Sequence, residues 1–170
     1  MEGRFALMPA KVELRPFSRA EYHAFYADYV PDPMMTSQPF HYRKAYADRC
    51  YDMELQRQSW YPVFGIFLTD GECIGALSLK YVDSSEKICE IGIILRDDTC
   101  KNRGYGTMAM LEGIAMARDR YGMRTICANT ADANVRMKHV LRKLGFRLSA
   151  SRMISCNLFS EEELLHYVLD

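Results

Sequence analysis

The chain has 170 residues, 49% of them apolar and 26% charged, and its 22 basic and 22 acidic side chains give a formal net charge of zero. This size and composition predict one folded domain over residues 1–170 and exclude a chain that is disordered throughout. The balanced charge argues against nucleic acid or an anionic membrane surface as a partner, and no apolar stretch approaches the roughly 20 residues of a membrane span.

Three features of the sequence indicate where the protein is located and whether it binds a metal. Residues 1–10 lack the long apolar segment of a signal peptide, so we expect a cytoplasmic protein. None of the six cysteines forms a C-x-x-C pair, and the four histidines do not fall at ligand spacing with them. We therefore expect reduced thiols and no metal site.

The first half of the chain predicts a strand, two helices and three further strands. Residues 12–15 alternate apolar and polar side chains before Pro16, which is typical of a short strand. Ser18 and Glu21 have the spacing of a capping box, which begins a helix. Turns rich in Asp, Gly and Ser join the later strands in an antiparallel meander. The predicted elements of this half are strand 12–15, helix 18–30, helix 41–59 and strands 61–68, 73–82 and 87–95.

The second half alternates helices and strands. A polar loop over 96–103 precedes a helix with apolar residues on one face, and Gly145 supplies the C-terminal cap of the next helix. Together the two halves predict an α/β or α+β domain. The predicted elements of this half are helix 104–121, strand 124–129, helix 134–144, one or two strand segments within 146–158 and a strand at 165–169.

A basic glycine loop opens the first of these helices. Gly104 and Gly106 follow Lys101 and Arg103, and no Asp or Glu occurs between Lys101 and Leu111. Glycine lets the backbone approach a phosphate closely, and the unpaired N–H groups at a helix N-terminus favour an anion. The loop therefore predicts a phosphate site. The antiparallel meander before it argues against a Rossmann dinucleotide site, and the G-K-[S/T] of a P-loop is missing.

Three sequence blocks make the chain resemble a known family. Residues 101–107, K-N-R-G-Y-G-T, are similar to the motif [Q/R]-x-x-G-x-[G/A] of the GNAT N-acetyltransferases, with Lys in place of Gln or Arg. Asn134 followed by L-R-K-L-G-F at 141–146 resembles the family's second block, and L-R-P at 14–16 resembles its first strand. The branch that it resembles contains the ribosomal-protein N-terminal acetyltransferases. The resemblance implies an α/β (α+β) GNAT fold, with a mixed, mostly antiparallel central sheet of about seven strands flanked by about four helices.

The resemblance also implies acetyl-CoA as the acyl donor and a set of residues that bind it. Backbone groups at 93–95 pair with the pantetheine arm, the loop 101–107 wraps the pyrophosphate, and Asn134 hydrogen-bonds the cofactor near its thioester. Asn134 also has the position of a helix N-cap, and both roles stay open. The implied cofactor-binding residues are Ile93, Ile94, Leu95, Lys101, Asn102, Arg103, Gly104, Tyr105, Gly106, Thr107 and Asn134.

The implied chemistry is direct attack of a primary amine on the thioester. Glu90 is the candidate base, because it lies in the strand that forms the cofactor groove and shares a face with Gly92 and Ile94. A backbone N–H near Ile94 is the candidate donor to the oxygen on which negative charge develops. The alternative for Glu90 is a cross-strand ion pair or a position facing solvent.

The proton donor to the leaving thiolate is missing from its usual places. The positions at which family members carry Tyr or Ser are Leu141 and Met137 here, and neither side chain can give a proton. Tyr167 or Cys156 replaces them, or the thiolate leaves unaided. This gap leaves a second function open, an acyl-CoA-binding sensor module without catalysis.

The resemblance implies that the first two helices and their connection line the acceptor pocket. That connection holds Met34, Met35, Phe40 and Tyr42, with Asp32 nearby. These residues form either an apolar mouth with one carboxylate or ordinary packing against the sheet. A protein N-terminus and a small-molecule amine are equally open as acceptors, and we expect a monomer or a homodimer.

Overall fold

The computed structural model describes residues 11–36, 39–156 and 161–170, with side chains described outside 150–163. Within these residues the chain forms seven strands and four α-helices, together with a short 3-10 helix at Asp98–Cys100. In chain order the elements are β1 (Val12–Arg15), α1 (Arg19–Asp28), α2 (Lys44–Gln56), β2 (Val63–Leu68), β3 (Cys73–Asp83), β4 (Ile88–Leu95), α3 (Tyr105–Asp119), β5 (Thr125–Ala131), α4 (Val135–Lys143), β6 (Arg147–Cys156) and β7 (Glu161–Leu169).

The seven strands form one mixed sheet in the order β1-β2-β3-β4-β5-β7-β6. Neighbouring strands are antiparallel except β4 and β5, which run parallel. The architecture predicted from the sequence, a mostly antiparallel mixed sheet with four flanking helices, is confirmed for the described part of the chain. In that part no helix has the length and apolar character needed to cross a membrane.

The capping box predicted at the start of α1 is present. The Ser18 hydroxyl accepts a hydrogen bond from the Glu21 N–H (3.3 Å), and the Glu21 carboxylate accepts one from the Ser18 N–H (2.8 Å). The helix ends at Asp28, two residues before its predicted end. The Val30 N–H donates instead to the Arg96 carbonyl (2.8 Å), and the residue before Pro31 is disfavoured in a helix.

The second helix is shorter at both ends than the predicted 41–59. It begins after Arg43, which is extended and provides no side-chain cap, and it ends at Gln56. Beyond it the Arg57 carbonyl accepts hydrogen bonds from the N–H groups of Trp60 (3.1 Å) and Tyr61 (2.7 Å). This tight turn redirects the chain into β2 and places the Arg57 side chain near the sheet.

Helices cover both faces of the sheet. On one face α3 packs against β1, β3 and β4, where Leu77, Ile91 and Met110 are almost fully buried. On the other face α1 and α2 enclose an aromatic cluster that includes Phe25 and Phe67. Burying each of these side chains contributes about 1.5–3 kcal/mol. The strands are therefore covered on both sides where the site forms.

The feature that creates the site is the separation of β4 from β5. The two strands are paired from Ile88 opposite Thr125 only as far as Glu90 opposite Cys127. Beyond that point β5 pairs with β7 alone and β4 with β3 alone. A cleft therefore opens between residues 91–95 of β4 and 128–131 of β5.

Candidate active site

Two cavities of about 470 and 490 Å³ lie in this cleft. We call the first the acceptor cavity and the second the cofactor cavity, after the ligands that the sequence predicts for them. They adjoin each other, because several residues line both of them. The shared residues are Met35, Ile93, Ile94, Asn134 and Met137.

The N-terminus of α3 forms an open end of the cofactor cavity. Gly104 is the N-cap in the left-handed conformation, with φ of 82°, and no side chain caps this helix. A Cβ on Gly104 would meet no heavy atom within 4 Å, and the first turn holds no acidic residue. The first N–H groups of α3 are thus left for an anion, which is the property that the glycine loop predicts.

Most of the predicted cofactor residues line this cavity. Two do not, since Arg103 is exposed and Tyr105 packs against the core. Sequence reasoning missed Arg136, His139 and Val140, which α4 contributes to the wall. The predicted residues that line the cavity are Ile93, Ile94, Leu95, Lys101, Asn102, Gly104, Gly106, Thr107 and Asn134.

Lys101 does not present a free charge to the site, because it is paired with acids that lie outside the segment between Lys101 and Leu111. Its ammonium is 2.9 Å from the Asp32 carboxylate and 2.6 Å from that of Asp98. Arg136 also donates to Asp32 (2.7 Å), and the Met34 N–H donates to the same carboxyl group (2.9 Å). Burial pushes the pKa of Asp32 up, but the bonds from Lys101 and Met34 outweigh it, and the pKa is lowered.

The ladder between β3 and β4 decides which backbone groups of β4 face the cleft. The Arg96 N–H donates to the Ile74 carbonyl (2.8 Å), and bonded and non-bonded pairs alternate along an antiparallel ladder. By this alternation Ile94 turns its N–H and C=O towards β3, and Ile93 and Leu95 turn theirs towards the cleft. The donor predicted near Ile94 is therefore better placed at Ile93 or Leu95.

Glu90 lies at the closed end of the cleft, where β4 and β5 begin to separate, and it lines the acceptor cavity. Its side chain is 18% exposed and accepts hydrogen bonds from the Lys80 ammonium (3.0 Å) and the Asn129 amide nitrogen (2.7 Å). The Asn129 oxygen is 2.7 Å from the His166 Nδ1, so that nitrogen carries the proton in this arrangement. The ion pair considered as the alternative for Glu90 is thus present, and Glu90 still faces the cavity.

Helix α2 and the chain after it form the far wall of the acceptor cavity. Tyr22 donates to Glu54 (3.1 Å), and burial raises the pKa of Glu54. The Arg57 guanidinium carbon lies 4.6 Å from the centre of the Tyr61 ring. Sequence reasoning missed Glu54, Arg57 and Tyr61. Nothing in the local sequence distinguishes Glu54 from the other polar residues of α2, or Arg57 and Tyr61 from ordinary residues of the turn that follows it.

The connection between α1 and α2 contributes less to the acceptor cavity than predicted. Of its named residues only Met35 lines that cavity. Phe40 packs on Tyr29 with ring centres 5.3 Å apart, and Tyr42 is hydrogen-bonded to His23 (2.7 Å). Met34 is half-exposed, and Asp32 belongs to the cofactor cavity. Of the two alternatives left open by the sequence, ordinary packing describes Phe40 and Tyr42, whereas Met35 lines the acceptor cavity.

Asn134 forms the predicted N-cap of α4, where its side-chain oxygen accepts from the Met137 N–H (3.1 Å). It is buried and lines both cavities. Among the candidates for a proton donor, Tyr167 is buried in the core and lines neither cavity. The Cys156 side chain lies outside the described residues. The described residues contain no group of three His, Cys, Asp or Glu that could hold a metal ion.

Comparisons with known proteins agree with this geometry. The family model described as "Acetyltransferase (GNAT) domain" matches residues 11–147. No curated protein matches the chain at a significant level. Among solved structures, a chimera of the Vibrio cholerae spermidine N-acetyltransferase SpeG and hSSAT has a TM-score of 0.80 at 13% identity, covering 93% of this chain and 94% of that one.

A second solved structure is similar to the same extent. RimL, a ribosomal-protein alpha-N-acetyltransferase in complex with coenzyme A, has a TM-score of 0.78 at 15% identity, with 93% of each chain covered. At such identities the likeness to both structures shows the fold alone.

Proposed function

The chain belongs to the GNAT family of acetyl-CoA-dependent N-acetyltransferases, and from that premise we propose that it acetylates a primary amine, on a small molecule or a protein N-terminus, by direct attack in a ternary complex. The observation that carries the proposal is the meeting of the two cavities at residues such as Ile93 and Asn134, beside Glu90. An amine in one cavity and a thioester in the other would be in contact without an intermediate carrier on the protein.

The cofactor cavity has the chemistry that CoA requires. The open N-terminus of α3 at Gly104 suits the pyrophosphate, and the free backbone groups of Ile93 and Leu95 suit the amides of the pantetheine arm. Acetyl-CoA supplies an activated thioester there. A backbone N–H of Ile93 or Leu95 is the donor to the thioester oxygen, on which negative charge develops during attack.

Glu90 is the base in this proposal. The amine must lose its charge before it attacks, and an α-amine with a pKa near 7.7–8.0 needs less help than a lysine-type amine near 10.4. An ionised carboxylate has about four acceptor positions, and Glu90 uses one for Lys80 and one for Asn129. It can therefore take the proton that the nitrogen loses as the new amide bond forms and the C–S bond breaks, directly or through water.

Thermal unfolding with and without acetyl-CoA tests the cofactor site. A ligand at one hundred times its Kd stabilises a protein by about 2.7 kcal/mol. A domain of this size gains about 2–4 °C per kcal/mol, so we expect a rise of about 5–10 °C. Absence of any rise in a folded protein would remove the cofactor assignment. Turnover of a panel of primary amines then tests the transfer itself.

A matched pair of glycine variants separates ligand binding from backbone strain. Gly104→Glu places a carboxylate at the anion site and should abolish the rise. Gly71→Glu lies in the turn between β2 and β3, where φ is 89° and a Cβ would also meet nothing within 4 Å. It therefore carries the same backbone strain and should retain the rise caused by acetyl-CoA.

A non-catalytic CoA-binding module is the second candidate function. The specific observation in its favour is that Leu141 is fully buried and Met137 lines both cavities, so neither expected position offers a proton donor. Stabilisation by acetyl-CoA without acetylation of any amine in the panel would favour this candidate.

A further inference from the structure

Arg57 is a cation in the wall of the acceptor cavity, and no carboxylate among the described side chains forms an ion pair with it. It lies just after α2, and its guanidinium stacks on the Tyr61 ring at 4.6 Å. Its Nε is inaccessible to solvent and has no hydrogen-bond partner among the described residues. Because a ligand cannot reach an atom that is shielded from solvent, a ligand in the cavity would bind the terminal nitrogens of the guanidinium.

The other charges of the acceptor cavity are already engaged. Among the described residues, the charged side chains that line it are Glu54, Arg57, Lys80 and Glu90. Lys80 and Glu90 form an ion pair at 3.0 Å, and Glu54 accepts a hydrogen bond from the Tyr22 hydroxyl at 3.1 Å. Within the described part of the chain no carboxylate lies within 4.0 Å of the Arg57 nitrogens. Glu54 is close enough for the positive charge of Arg57 to favour its ionised form, but the two groups form no ion pair. The Arg57 guanidinium is therefore available to a further carboxylate.

We propose that the amine acceptor also carries a carboxylate, and that Arg57 binds it while Glu90 receives the amine. This rests on the proposed function. A guanidinium presents parallel N–H donors that match the two oxygens of a carboxylate. Stacking on the Tyr61 ring fixes the plane of the Arg57 guanidinium. Arg57 is in this proposal a residue that determines specificity.

The charge balance of the cavity separates this acceptor from a polyamine. Among the described side chains, two carboxylates and two cations line the cavity, so these four residues offer no surplus of negative charge to a second ammonium group. Spermidine, which is named in the description of one structural relative, would bring additional cations towards Arg57. An α-amino acid or a peptide N-terminus with an acidic side chain brings the complementary pair of charges instead.

Matched acceptors test the proposal in the presence of saturating acetyl-CoA. Phenylalanine, phenylalaninamide and phenethylamine share one apolar group and differ in the carboxylate. We expect kcat/KM for the acid to exceed that for either neutral analogue by about 10- to 100-fold, as is typical of a hydrogen-bonded charge pair. A preference for spermidine would overturn the proposal, and so would equal rates here together with indifference to the carboxylate in the peptide comparison below.

A second arm identifies the source of the carboxylate. Peptides that carry a C-terminal amide and begin with Asp or Glu are compared with peptides that begin with Asn or Gln. Preference for the acidic peptides over free amino acids indicates a side-chain carboxylate, and the reverse indicates an α-carboxylate. Both results support the proposal. Indifference to the carboxylate in both arms contradicts it.

Variants of Arg57 assign the effect to this residue. Arg57→Gln should raise KM for the carboxylated acceptor by about 10- to 100-fold and leave the neutral amide almost unchanged. Arg57→Lys keeps the positive charge but loses the paired N–H donors, so its increase in KM should be intermediate. Arg49→Gln is the control, because Arg49 is an exposed arginine of the adjoining helix α2 that lines neither cavity. An equal loss for acid and amide in Arg57→Gln would contradict the proposal.

A binding measurement keeps the inference testable if no amine is acetylated. N-acetylphenylalanine and its amide are then compared as ligands of the CoA-bound protein by thermal unfolding. Stabilisation by the acid alone, lost in Arg57→Gln, supports the carboxylate site even if the catalytic proposal fails. Equal effects of the two compounds overturn it.

Discussion

An ion pair between Lys101 and Asp32 joins the glycine loop 101–107 to the connection between α1 and α2. The Lys101 ammonium is 2.9 Å from the Asp32 carboxylate. The Lys101 side chain is 9% exposed and that of Asp32 is 11% exposed, so the contact is largely shielded from water. Arg136 of α4 binds the same carboxylate at 2.7 Å. One acid thus holds two cations beside the cavity in which we place the CoA phosphates.

Asp32→Asn should increase the affinity for acetyl-CoA and lower the stability of the free protein. Removing the negative charge frees Lys101 and Arg136 for the cofactor, and we expect a Kd several-fold lower, on the order of 1 kcal/mol. Loss of the charge-assisted bonds should lower the free energy of unfolding by about 1–3 kcal/mol. Titration calorimetry and urea unfolding measure the two effects.

Asp98→Asn is the matched control for that prediction. Asp98 also contacts Lys101, at 2.6 Å, but its side chain is 84% exposed. Its replacement should therefore change neither quantity appreciably. Weaker binding of acetyl-CoA to Asp32→Asn would mean that Asp32 orders the cavity rather than competing for its cations.

Sequence reasoning succeeded where a signal is local and was incomplete where distant segments meet. Ser18 with Glu21, and the loop around Gly104, need only a few neighbouring residues, and both structures follow from backbone chemistry. The bond from Arg136 to Asp32 joins residues 104 positions apart, and its partners are common residue types with no pattern that links them. Such pairs are set by the packing of whole elements.

The neighbours of Glu90 illustrate an intermediate case. Lys80 is 10 positions away on the adjacent strand, and the turn between β3 and β4 places it opposite Glu90 once the register is known. A bulge between Lys80 and Asp83 shifts that register, and no residue pattern in the sequence predicts this bulge. Asn129, 39 positions away, comes close only because β5 runs parallel to β4 before the two separate.

Glu90→Gln should abolish most of the turnover and leave cofactor binding intact. A general base typically contributes about 10²- to 10⁴-fold to a rate, so we expect kcat to fall by that amount while the Kd for acetyl-CoA is unchanged. Glu86→Gln, in the exposed turn before β4, is the control. If Glu90→Gln retains its kcat, Glu90 is only the ion-pair partner of Lys80.

The protein should lose stability in acid partly through Glu21. The bonds from Arg15 and from the backbone of Ser18 lower the pKa of Glu21 to about 2. The unfolded chain takes up the proton at a higher pH, near 4.3, so the stabilisation is complete above that pH and is lost as the pH falls towards 2.

Urea unfolding of wild type and Glu21→Gln at several pH values measures this contribution. The difference in unfolding free energy between them should be largest near neutral pH and should shrink between about pH 4.3 and pH 2. Glu112→Gln, at an exposed position of α3, should show no such pH-dependent gap. A gap for Glu21→Gln that stays constant with pH would assign the effect to the helix cap alone.

Asn134 can be tested for its two roles separately, because serine also caps helices. Its oxygen is used by the Met137 N–H, which leaves the amide nitrogen for the cavities. Asn134→Ala should lower the free energy of unfolding by about 1 kcal/mol and weaken acetyl-CoA binding. Asn134→Ser should restore the stability but not the affinity, which we expect to stay about 2- to 10-fold below that of wild type.

Ser18→Ala provides the control for the loss of a helix cap away from the site. It removes the cap of α1, so it should lower stability by a similar amount without changing the Kd for acetyl-CoA. Calorimetric titration of the three variants then separates the roles. Recovery of both stability and affinity in Asn134→Ser would reduce Asn134 to a helix cap. Recovery of stability alone would leave its amide as a direct contact of the cofactor, at the place where the two cavities meet.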